Sequence, residues 1–177
     1  MISLRSRASR FNARERAALV LVVALAAVSL GASATPASAA TASSSMGVSA
    51  TVQATCSNTV TNLAFGVYTG GVIRPDATIT VTCTNTTPYN IGLDAGLGAG
   101  ATTTIRWMTG PSGALLAYGL YSDAGFTSNW GNTIGSDTVA GTGNGSAQAL
   151  TIYGGIYIDQ FVTPGGYDDT ITATVTY

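Results

Sequence analysis

The sequence predicts an all-β protein built as a β-sandwich, and three observations indicate this fold class. Apolar and polar residues alternate in Met46–Ala54 and again in Thr170–Tyr177, which is the pattern of strands with one apolar face. Threonine and glycine contribute 26 and 21 residues after residue 39, whereas lysine is absent and Glu15 is the only glutamate. Turn signals recur about every 8–12 residues and separate about seven or eight short apolar stretches.

Residues 1–39 have the features of a secretory signal peptide. Five arginines precede Ala17–Leu30, an apolar run of 14 residues, and Pro36–Ala40 offers a cleavage site after Ala39. The run is short for a membrane span, which needs about 17–25 residues, so an uncleaved anchor is the less favoured alternative. No later stretch has the length and apolarity of a membrane-spanning helix.

The remaining 138 residues are acidic and suffice for one domain with a core. They hold two cations, Arg74 and Arg106, against seven aspartates, which gives a net charge of −5. The chain contains no histidine. Because no basic patch is available to neutralise phosphates, we expect no nucleic-acid partner.

The predicted strands follow from local patterns along the chain. Met46–Thr55 alternates after a polar leader, Gly66 interrupts the second stretch, and an Arg-Pro-Asp turn precedes the third. Glycine-rich or Gly-Pro turns separate the later stretches, and Gly154-Gly155 is expected to end the penultimate one. Met46–Thr55 is the expected strand before Cys56, and the eight expected strands after it are Val60–Tyr68, Thr78–Thr84, Pro88–Ala95, Thr102–Met108, Leu115–Tyr121, Thr138–Ala140, Ala147–Tyr153 and Thr170–Tyr177.

Cys56 and Cys83 are the two cysteines of the chain. An even count in an exported chain predicts one disulfide, which would contribute roughly 3–4 kcal/mol by closing its loop. Two free thiols or half of a metal site are the alternatives, although the absence of histidine leaves a thiolate metal site short of ligands.

No catalytic constellation is found, so we expect neither an enzyme nor a cofactor. Asp168 and Asp169 are adjacent and would point to opposite faces of a strand. Ser112 and Ser146 lack both a nucleophile-elbow motif and a histidine. The glycine-rich stretch Gly96–Ala101 is followed by β-branched residues rather than a helix start, and therefore predicts a surface loop.

The residues suggest two candidate kinds of binding site, one for a metal ion and one for a sugar. The scattered aspartates show no calcium-loop spacing, so no metal is expected. Some aromatic residues are candidates for a sugar-binding platform, although aromatic residues in strands more often belong to the core. These residues are Tyr118, Tyr121, Trp130 and Tyr153.

The two alternating ends of the domain suggest a mode of assembly. One is a detachable apolar strand near the start of the exported chain, with its apolar face formed by Met46, Val48, Ala50, Val52 and Ala54. The other has an edge that no later segment covers, with its apolar face formed by Ile171, Ala173, Val175 and Tyr177. Together they suggest subunits that lend strands to one another; the alternative is that the first strand pairs within its own sheet.

Several short motifs occur in order along Cys56–Tyr177. They are Leu63-Ala64-Phe65-Gly66-Val67-Tyr68, Thr80-Val81-Thr82-Cys83-Thr84, Thr87-Pro88-Tyr89, Gly92-Leu93-Asp94-Ala95-Gly96, Arg106-Trp107-Met108-Thr109-Gly110, Gly119-Leu120-Tyr121-Ser122-Asp123, Trp130-Gly131, Gly166-Tyr167-Asp168-Asp169-Thr170 and Val175-Thr176-Tyr177. On these motifs the stretch resembles the spore coat protein U domain, the pilin domain of archaic chaperone–usher pili. It departs from that pattern at Gly119 and at the unusually apolar Ile156–Phe161.

The resemblance implies an incomplete immunoglobulin-like β-sandwich that is completed by a donor strand from a neighbouring subunit. It implies a periplasmic chaperone, an outer-membrane usher and neighbouring pilin subunits as partners, and a cell-surface fimbrium that supports attachment and biofilm formation. The expected division is residues 1–39 signal peptide, 40–55 leader and donor strand, and 56–177 pilin domain. The expected acceptor groove comprises Val60, Leu63, Phe65, Ile171, Ala173, Val175 and Tyr177.

Three functions stay open at this point. A structural pilin of the shaft or a minor pilin is favoured. A secreted surface or spore-coat-type protein that builds no pilus is the second. A secreted carbohydrate-binding sandwich is the third, and it should behave as a stable monomer.

Overall fold

The computed structural model describes residues 38–177 and shows eight strands in two antiparallel sheets. The strands are β1 Cys56–Val60, β2 Asp76–Cys83, β3 Pro88–Leu93, β4 Arg106–Thr109, β5 Leu115–Tyr121, β6 Val139–Thr142, β7 Ala147–Ile156 and β8 Ala173–Thr176. One 3-10 helix, Pro111–Gly113, lies between β4 and β5. The prediction of an all-β sandwich is confirmed. No helix within residues 38–177 is long and apolar enough to cross a membrane.

The two sheets differ in width. The first has five strands in the order β1-β2-β7-β5-β4, and the second has three in the order β6-β3-β8. Three strands cannot cover the inner face of five at the usual strand spacing of about 4.8 Å. Part of the inner face of the first sheet is therefore left to segments outside the second sheet.

The core forms between the sheets from the alternating positions of the strands. In β2 the inward residues are Ala77, Ile79, Val81 and Cys83, and the threonines between them are less buried. The facing side chains come from the central strands of both sheets: Tyr89, Ile91, Leu93, Leu116, Tyr118, Leu120, Ile152 and Ile156. Burial of each large apolar side chain contributes about 1.5–3 kcal/mol, so this period-2 pattern stabilises the sandwich.

The chain divides into two units, residues 1–47 and 48–177. The described part of the first unit, residues 38–47, is exposed and has no regular secondary structure. The signal peptide predicted for residues 1–39 lies almost entirely outside the described residues.

Two predicted strands are absent. Met46–Thr55 has the alternating sequence of a strand but is exposed throughout and belongs to no sheet. A strand is formed only where a neighbouring backbone accepts and donates its hydrogen bonds, and Met46–Ala54 has no such neighbour among residues 38–177. Val60–Tyr68 was also wrong as a strand: the ladder with β2 ends at Val60, and positive φ at Gly66 turns the backbone beyond it.

Other boundaries shifted for local reasons. The strand expected at Thr102–Met108 begins only at Arg106, because the Thr102 N–H bonds to the carbonyl of Ile105 and closes a turn. The last strand is shorter than Thr170–Tyr177 and covers Ala173–Thr176. Gly154-Gly155 does not end a strand but lies inside β7, where the two residues pair with Leu120 and Gly119 of β5.

Candidate functional site

A long cavity of about 1260 Å³ opens where the second sheet stops short of the first. One wall is the segment 60–70, and the other is the segment 160–173. The floor is apolar and comes from the inward residues of both sheets: Ala77, Leu93, Met108, Leu116, Tyr118, Leu120, Ile152 and Ile156. We call this cavity the groove. Its shape is that of a slot left by a missing strand.

The first wall keeps the alternation of a strand without being paired as one. Leu63 and Phe65 are half-buried and face the groove, while Ala64 between them is exposed. The Phe65 ring meets the Tyr118 ring edge to face at 5.6 Å. Gly154 lies beneath both side chains, and a Cβ there would be 2.5 Å from Leu63 and 3.1 Å from Phe65. The side chains of the first wall therefore pack directly against Gly154 of β7, where a larger residue would not fit.

The second wall is fixed by two aspartates. Asp94 Oδ1 accepts hydrogen bonds from the N–H groups of Gly96 and Thr172, at 3.0 and 2.9 Å. Asp169 Oδ1 accepts from the N–H of Leu97 at 2.7 Å, and its Oδ2 accepts from the Tyr118 hydroxyl at 2.6 Å. These bonds hold the segment before β8 in place.

The four predicted acceptor residues near the C-terminus divide into two pairs, of which only the first lies in the second wall. Ile171 and Ala173 line the groove and are half-buried. Val175 packs against the core beyond the groove lining, and Tyr177 is mostly exposed. On the first wall all three predicted residues, Val60, Leu63 and Phe65, line the groove.

The strands beside the groove each have one unpaired edge. Among the strands of residues 38–177, β1 pairs only with β2, and β8 pairs only with β3. Between these two edges one side chain reaches across, since Asn58 Nδ2 donates to the carbonyl of Ala173 at 3.2 Å. The groove thus combines an apolar floor with nearby strand edges that pair with no further strand among the described residues, and both features suit the addition of a strand.

Gln160 joins the two walls at one point, and no sequence pattern indicates this role. Its backbone N–H donates to the Tyr68 hydroxyl at 2.9 Å, and Tyr68 donates to the carbonyl of Tyr157 at 2.9 Å. Its side-chain amide pairs with both backbone groups of Ala117, at 2.7 and 2.9 Å. The amide thereby imitates a strand residue next to β5.

The predicted donor residues lie on an exposed segment. Met46, Val48 and Val52 are 84 %, 84 % and 86 % exposed, and Ala50 and Ala54 are exposed as well. Three large apolar side chains at alternate positions in water are unfavourable by roughly 1.5–3 kcal/mol each relative to burial. The segment therefore has the pattern of a strand and the exposure of one that is not docked.

Immediately after this segment, the disulfide Cys56–Cys83 fastens the start of the domain to β2. The two residues are opposite each other in the β1–β2 ladder. The chain before Cys56 therefore leaves the domain from a fixed position.

Arg106 supports the second wall of the groove, and the sequence patterns do not predict this role. Its side chain is fully buried and donates to the carbonyl oxygens of Asp94, Thr103, Leu93 and Trp130 at 2.7–3.0 Å. Burial lowers the pKa of this guanidinium, while Tyr118 and nearby aspartates oppose the shift. The network anchors the loops around Asp94, and hence the second wall.

The metal site and the aromatic platform considered from the sequence can be compared with residues 38–177. No group of three or more metal-ligating side chains is found there. Tyr118 and Trp130 of the candidate aromatic platform are buried in the core, where the Trp130 indole donates to the carbonyl of Ile91 at 2.9 Å. Tyr121 and Tyr153 lie instead on the outer face of the first sheet, half-buried beside Phe126.

Comparisons with known proteins agree with this architecture. Residues 42–174 match the family model of the Spore Coat Protein U domain. Protein U of Myxococcus xanthus is 33% identical over 123 residues, which cover 67% of this chain and 66% of that protein.

Among solved structures, the chaperone–tip adhesion subunit pre-assembly complex CsuC–CsuE, from the archaic chaperone–usher Csu pili of Acinetobacter baumannii, is similar in fold. The TM-score is 0.54 at 19% identity, and the match covers 72% of this chain and 41% of that one. The chain thus spans just under two thirds of the curated relative and less than half of the structural neighbour. Since the family model covers about three quarters of the sequence, the chain belongs to the Spore Coat Protein U domain family.

Proposed function

We propose that this protein is a structural subunit of a surface pilus, in which Met46–Ala54 of one copy fills the groove of the next. The observation that supports this most directly is the groove itself. Its apolar floor is bordered by the unpaired edges of β1 and β8. A strand inserted there would cover the apolar floor and pair with the backbone of the segments that form its walls.

The exposed segment suits this role in length and chemistry. Nine residues in extended conformation span about 30 Å, the length of a long strand. Its five apolar side chains share one face, and the three larger ones, Met46, Val48 and Val52, would each contribute about 1.5–3 kcal/mol on burial. Because Ala50 and Ala54 add little, backbone pairing would supply much of the affinity.

Export and assembly follow from the same proposal. Residues 1–39 would direct secretion and be removed, residues 40–55 would serve as leader and donor strand, and residues 56–177 would form the pilin domain. A periplasmic chaperone would occupy the groove during export. At an outer-membrane usher, the donor strand of the next subunit would replace the chaperone. The structural neighbour is itself a pilus subunit in complex with its chaperone. The product would be a fimbrium at the cell surface that supports attachment and biofilm formation.

A second candidate is a coat-type surface protein that uses the same strand exchange without building a pilus. The family description and the similarity to Protein U favour it. Such a protein would assemble into a layer and would not require an usher. Export with and without the usher, followed by electron microscopy of the cell surface, distinguishes fibres from a layer.

The decisive experiment is an SDS gel, run without boiling, of the mature protein recovered from cells that express its export machinery. A variant lacking residues 42–54 is run beside it. We expect a ladder of bands that collapses on boiling and is missing from the deletion lane. A single monomer band in both lanes would mean that the sandwich does not exchange strands.

A further inference from the structure

A second concavity lies on the outer face of the first sheet, on the far side from the groove. Its volume is about 320 Å³, and its lining includes Arg74, Tyr121, Phe126, Gly155, Tyr157 and Ile158. This volume is at the lower end of the range of ligand pockets, about 300–1,000 Å³, and is sufficient for one sugar ring. We call it the outer pocket.

The outer pocket contains a positioned cation. The guanidinium of Arg74 lies 4.3 Å from the centre of the Phe126 ring. Phe126 is in turn held edge to face by Tyr121 and Tyr153, with ring centroids 5.4 and 6.2 Å apart. A guanidinium that lies on the face of an aromatic ring still has N–H donors along its edge. Two parallel N–H donors of this kind can bind the two oxygens of a carboxylate.

Charge makes this cation distinctive. Beyond residue 39 the sequence has only two arginines and no lysine, and the other arginine, Arg106, is buried and bonded to carbonyl oxygens. In the domain that the structure describes, Arg74 is thus the one guanidinium that can reach a ligand. Residues 40–177 have a net charge of −5, so Arg74 is the exposed positive charge to which an anion would be attracted.

Two phenols add hydrogen-bonding groups to the aromatic surface. The hydroxyls of Tyr121 and Tyr157 are 3.4 Å apart, and Tyr157 lies against the carbonyl of Thr104 at 3.5 Å. Burial raises the pKa of Tyr157 to about 12, and its hydroxyl, which donates to the carbonyl of Thr104, can accept a hydrogen bond from a sugar hydroxyl. Val72 and Ile158, both more than half exposed, flank the pocket with apolar surface.

We propose that the outer pocket binds a single hexuronate unit of an acidic polysaccharide. The carboxylate pairs with Arg74, the apolar face of the sugar ring packs against the aromatic surface, and the sugar hydroxyls meet the two phenols. Each group in the pocket then has a counterpart on the ligand. A bare phosphate would leave the aromatic surface unused, and a neutral sugar would leave the guanidinium unpaired.

The outer pocket and the groove are separated by the backbone of β7. Gly154 faces Leu63 and Phe65 of the groove, whereas a Cβ on Gly155 would contact Phe126 of the outer pocket at 3.4 Å. Filling the groove therefore leaves the outer pocket accessible. The proposal goes beyond assembly and can be tested on monomer or polymer.

The test is a calorimetric titration of the mature full-length protein with trigalacturonate at 0.15 M salt, a concentration that screens surface charges beyond about 8 Å. For a ligand unit of this size we expect a Kd on the order of 1 mM. The fully methyl-esterified trimer, which is neutral and has the same shape, is the control ligand and should bind at least about 10-fold more weakly. Equal binding of the ester, or no saturable binding of the acid, would overturn the proposal.

Variants locate the site. Arg74→Gln should weaken binding of trigalacturonate about 10-fold or more, because a charge-assisted bidentate contact is lost. Gly155→Val should block the pocket, because its side chain extends beyond a Cβ position that already contacts Phe126 at 3.4 Å. Thr82→Val, at an exposed position of β2 outside the pocket lining, should leave binding unchanged. The circular dichroism spectrum and the urea midpoint verify that each variant is folded. If Arg74→Gln fails to fold, binding by Gly155→Val tests the location of the site instead. Unchanged binding in Arg74→Gln, or in Gly155→Val, would contradict the assignment.

Discussion

The hydroxyl of Tyr118 donates a 2.6 Å hydrogen bond to Oδ2 of Asp169, and the ring of the same residue packs against Phe65 at 5.6 Å. Phe65 belongs to one wall of the groove and Asp169 to the other. A single side chain of the central strand β5 therefore contacts both walls. Tyr118, on the floor of the groove, therefore helps to set the distance between the two walls.

Replacement of Tyr118 by Phe removes the hydrogen bond and keeps the ring. Because the acceptor is a carboxylate, we expect a loss of about 1.5–3 kcal/mol in the free energy of unfolding, measured by urea denaturation of the mature monomer. Tyr153→Phe is the matched control, since Tyr153 lies on the outer face, and should cost less than about 0.5 kcal/mol. Equal losses in both variants would contradict the role of the bond.

Stability should also fall at alkaline pH. Burial, and then the hydrogen bond to Asp169, raises the pKa of Tyr118 well above its ordinary value. The unfolded state then loses this proton first, above about pH 10, so the stabilisation is complete below that pH and is lost as the pH rises toward the pKa of the folded state. We expect a shallower alkaline decline in Tyr118→Phe than in the wild type. Parallel declines would show that Tyr118 is not the group responsible.

Arg106→Lys tests the carbonyl network behind the second wall. An ammonium group cannot reproduce a planar donor set that serves four carbonyl oxygens, so some of them lose their partner in the core. We expect a loss of about 3 kcal/mol in the free energy of unfolding, measured by urea denaturation. Arg74→Lys, at the exposed cation, should change stability by less than about 0.5 kcal/mol. Tolerance of Arg106→Lys at that same level would refute the importance of the network.

Gly154→Ala and Gly155→Ala are neighbouring substitutions on opposite faces of β7. At Gly154 the new methyl would lie 2.5 Å from Leu63, so the first wall must shift, and we expect a loss of about 1–3 kcal/mol together with poor polymer formation. At Gly155 the contact is ordinary, and both stability and assembly should stay near wild type. Urea denaturation and the unboiled gel measure the two effects. Identical behaviour of the pair would argue against a role for Gly154 in seating the wall.

Val48→Asp and Ser49→Asp place the same charge on the two faces of the proposed donor segment. Val48→Asp would bury a carboxylate on the groove floor and should abolish the ladder on the unboiled gel while leaving capture by the chaperone intact. Ser49→Asp points away from the floor and should leave the ladder unchanged. Normal polymers from Val48→Asp would exclude the proposed register.

Sequence patterns anticipated those elements whose residues alternate against a paired neighbour. β5 was predicted with its observed bounds, Leu115–Tyr121, because both of its neighbours complete its ladder. β2 and β3 deviated by no more than two residues at either end. Met46–Ala54 alternates strictly and Leu63–Val67 alternates as well, but neither stretch belongs to a sheet. Alternation indicates which face is apolar, and it contains no information about whether a backbone partner is present.

The contacts that fix the groove could not be predicted from spacing. Asp169 and Tyr118 are 51 residues apart, and Arg106 binds carbonyl oxygens, which every residue carries. Gln160 acts through an amide that imitates backbone, and no motif marks such a residue. The one available signal was the rarity of cations, since an isolated arginine between apolar strands is a candidate for burial.

The burial of Arg106 has a consequence for proteolysis. Trypsin-like proteases cut after lysine or arginine, and beyond residue 39 the sequence offers only Arg74 and Arg106. Arg106 is inaccessible within β4, and Arg74 is followed by Pro75, a bond that these proteases cleave poorly. If residues 1–39 are cleaved off as proposed, the folded remainder presents no good site to this class of enzyme. The domain is therefore expected to remain intact in surroundings where trypsin-like proteases degrade proteins richer in lysine.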